Sequence, residues 1–321
     1  MLKYLLLVLG FVLLVKGADF FVEGSSSVAK ILKIPSLIIG LTVVAFGTSM
    51  PEASVSVTAA LAGKNELALS NVIGSNMFNL LVVVGASALI KPLVVQQSIV
   101  KKEFPFSILI TALLLVFSVD SWIRGGGSNE VSQLDGIILL LFFILFLYST
   151  VKSALASRQN AKIYNNDEEE IKVLSPVVSI IYIIGGIAAI IIGGNLVVDS
   201  ATKIALAFHL SETLIGLTIV AIGTSLPELV TSVVAAFKGE SDIALGNVVG
   251  SNIFNLALIL GSSAAITPVA VSILSIYDLI FLIGISVLSY IFAVGGRKIN
   301  RMEGLLMLFI YVGYTYYIII R

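Results

Sequence analysis

Residues 40–62 read GLTVVAFGTSMPEASVSVTAALA, and residues 216–238 read GLTIVAIGTSLPELVTSVVAAFK. The match does not stop there. Residues 63–92 align with 239–268 at the same offset of 176 positions, ALSNVIGSNMFNL against ALGNVVGSNIFNL, and 30 of the 53 aligned positions are identical. Chance does not produce such agreement, so the segment was duplicated. Both copies are long apolar runs, and each carries one glutamate near its middle, Glu52 and Glu228. A carboxylate at that depth costs roughly 2.5–3.5 kcal/mol on insertion scales. A cost met twice at one register points to function.

The rest of the chain agrees with a membrane setting. Of its 321 residues 58% are hydrophobic and 12% charged, with a mean hydropathy of +1.09. Soluble chains carry about 25% charged residues. The composition therefore excludes a soluble enzyme and a disordered chain, and 19 basic against 19 acidic residues leave no net field for nucleic acid. With no cysteine and one histidine, thiolate and imidazole-rich metal sites are excluded as well.

A helix needs about 20 apolar residues to cross the hydrocarbon. Ten runs qualify: 2–22, 36–62, 66–90, 104–119 and 134–151, then 177–198, 212–237, 242–266, 279–294 and 303–320. The first has no small-residue cleavage site and has a later counterpart, so it is read as a span rather than a signal peptide. Each repeat period contains five spans, and an odd number makes the second copy enter from the opposite side. The expected fold is an all-α polytopic membrane protein whose ten transmembrane helices form two inverted five-helix repeats. The first repeat occupies 1–151, a polar linker 152–175 and the second repeat 176–321. Inverted repeats characterise many secondary transporters, which bind their cargo near the midplane.

The linker holds the run Asn165-Asn166-Asp167-Glu168-Glu169-Glu170. Its acids lack the spaced ligands of a calcium loop, so it reads as a solvated connection. If the spans alternate, thirteen Lys and Arg residues fall on the linker's side and five on the other. By the positive-inside rule the linker is cytoplasmic and both termini are extracytoplasmic, in a multi-pass protein of the cell membrane.

The chemistry concentrates in two motif pairs. Gly47-Thr48-Ser49-Met50-Pro51-Glu52 corresponds to Gly223-Thr224-Ser225-Leu226-Pro227-Glu228. Pro51 and Pro227 have no N–H for the carbonyls of Gly47 and Gly223, which leaves acceptors unpaired inside the membrane. Thr48 and Glu52 are four apart, so helical spacing would put hydroxyl and carboxylate on one face. Such oxygens suit hard cations, calcium and sodium among them. A proline kink with a glutamate buried only for packing is the alternative, and the duplication argues against it. The second pair is Asn71…Gly74-Ser75-Asn76…Asn79 and Asn247…Gly250-Ser251-Asn252…Asn255. Ser75, Asn79, Ser251 and Asn255 read as ligands, whereas for Asn71, Asn76, Asn247 and Asn252 holding helices together is the alternative.

GTS-x-PE followed by GSN-x-FN, once per half, resembles the α-repeats of the cation/calcium antiporter superfamily, in particular prokaryotic sodium/calcium exchangers. The resemblance implies ten helices, with the second, third, seventh and eighth surrounding four ion sites. It implies that Glu52, Glu228 and the backbone carbonyls of Thr48 and Thr224 form the calcium site. One flanking sodium site would comprise Ala45, Thr48, Ser49, Ser75 and Glu228, the other Ala221, Thr224, Ser225, Ser251 and Glu52. Asn79 and Asn255 would occupy the centre. Some relatives, potassium-dependent exchangers among them, carry Asp where this chain has Asn255, which argues against potassium coupling. Proton-coupled relatives tend to carry acids at both central positions.

The function expected is therefore a secondary antiporter, not an enzyme, exchanging calcium for sodium by alternating access in the direction of calcium extrusion. Calcium and sodium are its cargo in the bilayer, and no cofactor is expected. Calcium/proton exchange is the alternative, since both glutamates could take protons. A channel would normally assemble its pore from several subunits, and a hydrolase would need a base beside Ser49 or Ser225. Three further residues read as structural: His209 at a surface beside a Ser211 helix cap, Trp122 as an interfacial anchor, and Lys16 paired with Asp19 one turn away.

Overall fold

The computed structural model describes residues 2–63, 65–123, 129–163, 174–208 and 221–320, and within them the chain is almost entirely helical. In chain order the helices are α1 (Leu2–Leu32), α2 (Ser36–Thr48), α3 (Met50–Leu61), α4 (Glu66–Ile90), α5 (Ile99–Val119) and α6 (Gln133–Ile163). There follow α7 (Pro176–Ala207), α8 (Ala221–Thr224), α9 (Leu226–Lys238), α10 (Ser241–Ile266), α11 (Ile273–Gly296) and α12 (Arg301–Ile320). Among the described residues, eight helices are long and apolar enough to cross a membrane. The pair α2–α3 makes a ninth, as one span bent by 51°. The span expected at 212–237 is represented by α8 and α9; its first part, with His209 and Ser211, lies outside the described residues, as do the acidic run 165–170 and the Trp122 side chain.

Several helices outrun the apolar windows that announce them. α1 reaches Leu32 rather than residue 22, and α6 reaches Ile163, so the polar stretch expected as linker from residue 152 begins as helix. The reason is physical. Hydropathy marks where hydrocarbon ends, whereas Lys152, Ala154, Leu155, Ala156, Arg158 and Gln159 are strong helix formers that carry the helix on.

Two helices form the centre. Within their apolar windows α10 is 94% buried and α4 72%, against 17% for α12, so α4 and α10 are wrapped by the others. Two short antiparallel clasps tie the halves together. β1 (Leu93–Val94) pairs with β4 (Lys298–Ile299), and β2 (Glu130–Val131) pairs with β3 (Val269–Ala270). β1 and β3 occupy equivalent positions after α4 and α10, so each half lends one strand to the other and satisfies backbone groups where the chain leaves its helices.

The longest packing seam joins α1 to α7. A Cβ on Gly10 would stand 2.9 Å from the Gly193 carbonyl oxygen, one on Gly17 2.9 Å from that of Gly186, and one on Gly24 2.8 Å from that of Ser179. Positions rise along α1 as they fall along α7, so the two helices are antiparallel. Glycine every seventh residue keeps one backbone against the other, the close approach that small residues permit where lipid supplies no hydrophobic drive. Gly10 and Gly17 also map onto Gly186 and Gly193 under the repeat offset. The contact therefore runs between the same surface of the two copies.

That geometry makes a test. Gly17→Val has no room to relax away from two backbones, and overpacking of this kind costs about 1–3 kcal/mol. The variant should melt several degrees below the parent in detergent, whereas Gly284→Val, where a Cβ meets nothing among the described residues, should melt with it. Equal melting of Gly17→Val and parent would show that the seam does not need its glycines.

Candidate functional site

The site is built where α2 breaks into α3 and α8 into α9. Ser49 and Ser225 stand at the two breaks with nearly the same backbone, φ −83° and ψ 6° against φ −92° and ψ 7°. Each is followed by a helix whose first turn contains Pro51 or Pro227, a position where proline's missing N–H costs nothing. Glu52 and Glu228 fall in those same first turns, where the partial positive charge of a helix N-terminus favours an anion. Both are fully buried, at 0% exposure.

Each carboxylate is served by hydroxyls from both halves. Glu52 Oε1 accepts from Ser75 Oγ at 3.1 Å and Ser225 Oγ at 2.9 Å. Glu228 Oε1 accepts from Ser49 Oγ at 3.0 Å and Ser251 Oγ at 3.4 Å. The serines touch in turn, Ser75 with Ser225 at 2.8 Å and Ser49 with Ser251 at 2.9 Å. The second oxygens, Oε2 of Glu52 and Oε2 of Glu228, have no partner. No Lys or Arg pairs with either carboxylate among the described residues.

Four asparagines link α4 to α10. Asn79 lies at the start of a π-wound stretch of α4 (Asn79–Val83) and Asn255 in the matching stretch of α10 (Phe254–Ile259). Such wide turns are frequent at functional positions. Asn79 Nδ2 donates to Asn252 Oδ1 at 3.1 Å, and Asn255 Nδ2 donates to Asn76 Oδ1 at 3.0 Å. Asn79 Oδ1 and Asn255 Oδ1 are left without partners. Four buried oxygens, two from carboxylates and two from amides, thus have no hydrogen to accept. An orphaned buried acceptor costs about 1–3 kcal/mol and more when charged. Among the described residues no cluster of three or more His, Cys, Asp or Glu exists, so a cation here would meet two charges and otherwise neutral oxygen. This donor set suits a hard cation such as calcium or sodium.

Two expectations change in detail. Thr48 and Glu52 do not share a helix face, because the break at Ser49 lies between them. The Thr48 hydroxyl lies 3.1 Å from the Val44 carbonyl and 2.9 Å from Asn247 Oδ1, across the interface between the halves. The hydrogen-bonded groups also differ from the implied sodium sets by one exchange. Ser251, 3.5 Å from the Ala45 carbonyl, belongs with Ser49 and Glu228, whereas Ser75 belongs with Ser225 and Glu52. Thr224 ends α8 one residue before the break, and Ala221 opens that helix.

Asn71 and Asn247, read from the sequence as able to hold helices together, do so through two serines that the sequence reading did not name. Asn71 Nδ2 donates to Ser56 Oγ at 2.9 Å and lies 3.4 Å from the Glu52 carbonyl; Asn247 repeats this with Ser232 Oγ at 2.9 Å and the Glu228 carbonyl at 3.4 Å. The identical register of Asn71 and Asn247 was the available signal. Ser56 and Ser232, one turn after each glutamate at the same repeat offset, completed it.

The surroundings are not symmetric. A cavity of about 380 Å³ lies against both motifs, with Pro51, Ser54, Thr224, Asn195 and Asp199 in its wall. The repeat offset maps Asp19 and Glu23 onto Asn195 and Asp199. There, however, Lys238 at the end of α9 holds α1 in place, 2.6 Å from Asp19 and 3.8 Å from Glu23. Lys16, expected as the partner of Asp19, is farther off at 4.0 Å.

Long apolar helices around buried paired acids define a polytopic membrane protein. The sodium/calcium exchanger protein family matches residues 2–152 and 178–320, and the chain belongs to that family. It is 38% identical to a putative antiporter, CaxA, of Alkalimonas amylolytica, over 96% of this chain and 95% of that one. It is 32% identical to the sodium/calcium exchanger MaX1 of Methanosarcina acetivorans, over 97% of each. The solved sodium–calcium exchanger NCX_Mj superposes with a TM-score of 0.82 at 34% identity, covering 97% of both chains. The protein is thus a membrane antiporter of the cation/calcium class.

Because Ser75 and Ser225 can still donate to an amide oxygen, Glu52→Gln preserves the fold while removing half the negative charge, and Glu228→Gln does the same from the other half. Calcium exchange in reconstituted vesicles should drop below a tenth of the parent in each, with elution and melting unchanged. Retained exchange above that level in either variant would show that the two carboxylates do not hold the ion together.

Proposed function

We propose that this protein exchanges calcium for sodium across the membrane by alternating access, in the direction of calcium extrusion. The observation that carries the reading is the set of four buried oxygens without hydrogen-bond donors, on Glu52, Glu228, Asn79 and Asn255. Two carboxylates supply a charge of −2, which one calcium or two sodium ions neutralise. Calcium would take Glu52, Glu228 and the backbone carbonyls of Thr48 and Thr224. Sodium would take the serine-rich flanks, with Ala45, Ser49 and Ser251 on one side and Ala221, Ser225 and Ser75 on the other. Asn79 and Asn255 would complete the centre. Hydroxyl and carbonyl oxygens serve sodium and do nothing for a proton, which favours sodium as the coupling ion.

Ten transmembrane helices in two inverted repeats suit this cycle. The duplicated sequence, the odd number of spans per copy and the antiparallel contact of α1 with α7 support that topology. On it, the lysine-rich loops, Lys238 and the linker face the cytoplasm, and the cavity beside Asp199 opens to the outside. The ion pairs of Lys238 with Asp19 and Glu23 then close the cytoplasmic face. A second state would close the outer cavity and part these pairs.

The coupling ion can be read directly. Calcium-45 movement in proteoliposomes should follow an imposed sodium gradient, need no potassium, and slow as pH falls, because protons compete for Glu52 and Glu228. Robust exchange in sodium-free vesicles under a proton gradient would overturn the sodium assignment.

Orientation has its own test in a chain without cysteine. Asn165→Cys should resist a membrane-impermeant thiol reagent in intact cells and react in inverted vesicles. The reverse pattern would invert the topology.

A further inference from the structure

The central ligands proposed above are asparagines, and an amide has two unlike ends. Its oxygen attracts a cation and its NH₂ repels one. A carboxylate has no such problem, since either oxygen serves. Something must therefore decide which end of Asn79 and Asn255 is left free. In the structure each of these NH₂ groups is already engaged across the α4–α10 interface, by Asn252 Oδ1 and Asn76 Oδ1 respectively, and each Oδ1 is the orphaned end. All four side chains are almost completely buried.

The connection through Asn76 is the better determined of the two. Asn76 Nδ2 donates to the backbone carbonyl of Asn252 at 3.2 Å. A backbone carbonyl cannot turn over, so it sets Asn76 with its oxygen toward Asn255. That oxygen then holds the NH₂ of Asn255 at 3.0 Å. Rotating Asn255 by half a turn would oppose two carbonyl oxygens and aim an NH₂ at the space the cation needs. Two buried carboxylates with unpartnered oxygens make that wrong orientation attractive, because an amide donor is the only hydrogen the side chain has to offer them. The restraint is thus a requirement and not an ornament.

We infer that Asn76 and Asn252 are positioning residues that hold the amides of Asn255 and Asn79 oxygen-inward, so that a neutral residue can act as a cation ligand at the centre of the site. This deepens the ion-site reading above and rests on it. The two asparagines would touch no ion themselves. They act through the residue whose NH₂ they occupy.

The test compares one substitution in two backgrounds, using the full chain in proteoliposomes and calcium-45 as the probe. In the parent, Asn76→Ala frees Asn255 to turn, and a charge-assisted bond to a carboxylate is strong enough to raise the half-saturating calcium concentration about tenfold. In an Asn255→Asp background there is no orientation left to hold, so adding Asn76→Ala should change that background's half-saturating concentration less than about threefold. A purely structural role for Asn76 would give the same loss in both backgrounds, and that result overturns the inference. So does a parent in which Asn76→Ala changes nothing. Asn255→Ala separates the two levels of the argument. Undiminished calcium affinity there overturns the central ligand assignment and the inference with it, whereas weakened affinity beside a silent Asn76→Ala overturns the inference alone. If Asn76→Ala does not fold, Asn252→Ala with and without Asn79→Asp applies the same comparison to the other half.

Discussion

Two carboxylates buried without a basic partner among the described residues are the constraint on which the rest of the molecule turns. The effective cost of taking one such ion out of water is several kcal/mol. Here each receives two serine hydroxyls, and bonds to a charged group contribute about 1.5–3 kcal/mol apiece. That leaves one oxygen of each carboxylate with nothing to accept. A Lys or Arg beside Glu52 or Glu228 would satisfy it permanently and end transport. Among the described residues no basic side chain pairs with either carboxylate, and neutral oxygens surround them instead, so that on the proposed reading the missing positive charge is supplied by cargo.

Duplication makes this arrangement economical. Each carboxylate is held by one serine from its own half and one from the other, and the central asparagines cross between halves in the same fashion. Neither half contains a whole site. The site forms only when α4 and α10 lie side by side, which the two strand clasps and the glycine seam between α1 and α7 enforce from three sides. Because the contacts are exchanged between copies, the surfaces flanking the site are built from equivalent positions, which on the proposed cycle would take opposite conformations in turn. The ion pairs of Lys238 with Asp19 and Glu23 on one side, against a cavity by Asn195 and Asp199 on the other, are that asymmetry in a single structure.

On the proposed reading, a closed shell of charges would trap calcium, and an uncharged one would not attract it. Two charges, several hydroxyls and two amide oxygens would give an intermediate strength that two different cations could share. The asparagines fit the same reading. They would add coordination without adding charge, provided that each shows its oxygen.

Much of this was legible in the chain itself. Hydropathy placed the long helices, since water and hydrocarbon sort side chains whatever the fold, and self-similarity at one offset exposed the duplication and the paired glutamates. The proline after each GTS marked the breaks, because proline cannot continue the hydrogen-bond ladder. Other features could not be read along one strand of letters. The hydroxyl of Thr48 turns to Asn247 rather than to Glu52, Ser225 rather than a nearer residue completes Glu52, and Asn76 serves Asn255. Asn76 and Asn79 were already set apart by their places in the motif, but that the oxygen of Asn76 receives the amide of Asn255 could not be read from it. The sequence by itself determined which groups are buried and that they occur twice. Only the tertiary structure decided which of them meet, because hydrogen bonds are directional and short while the partners from opposite halves stand 150 to 206 positions apart.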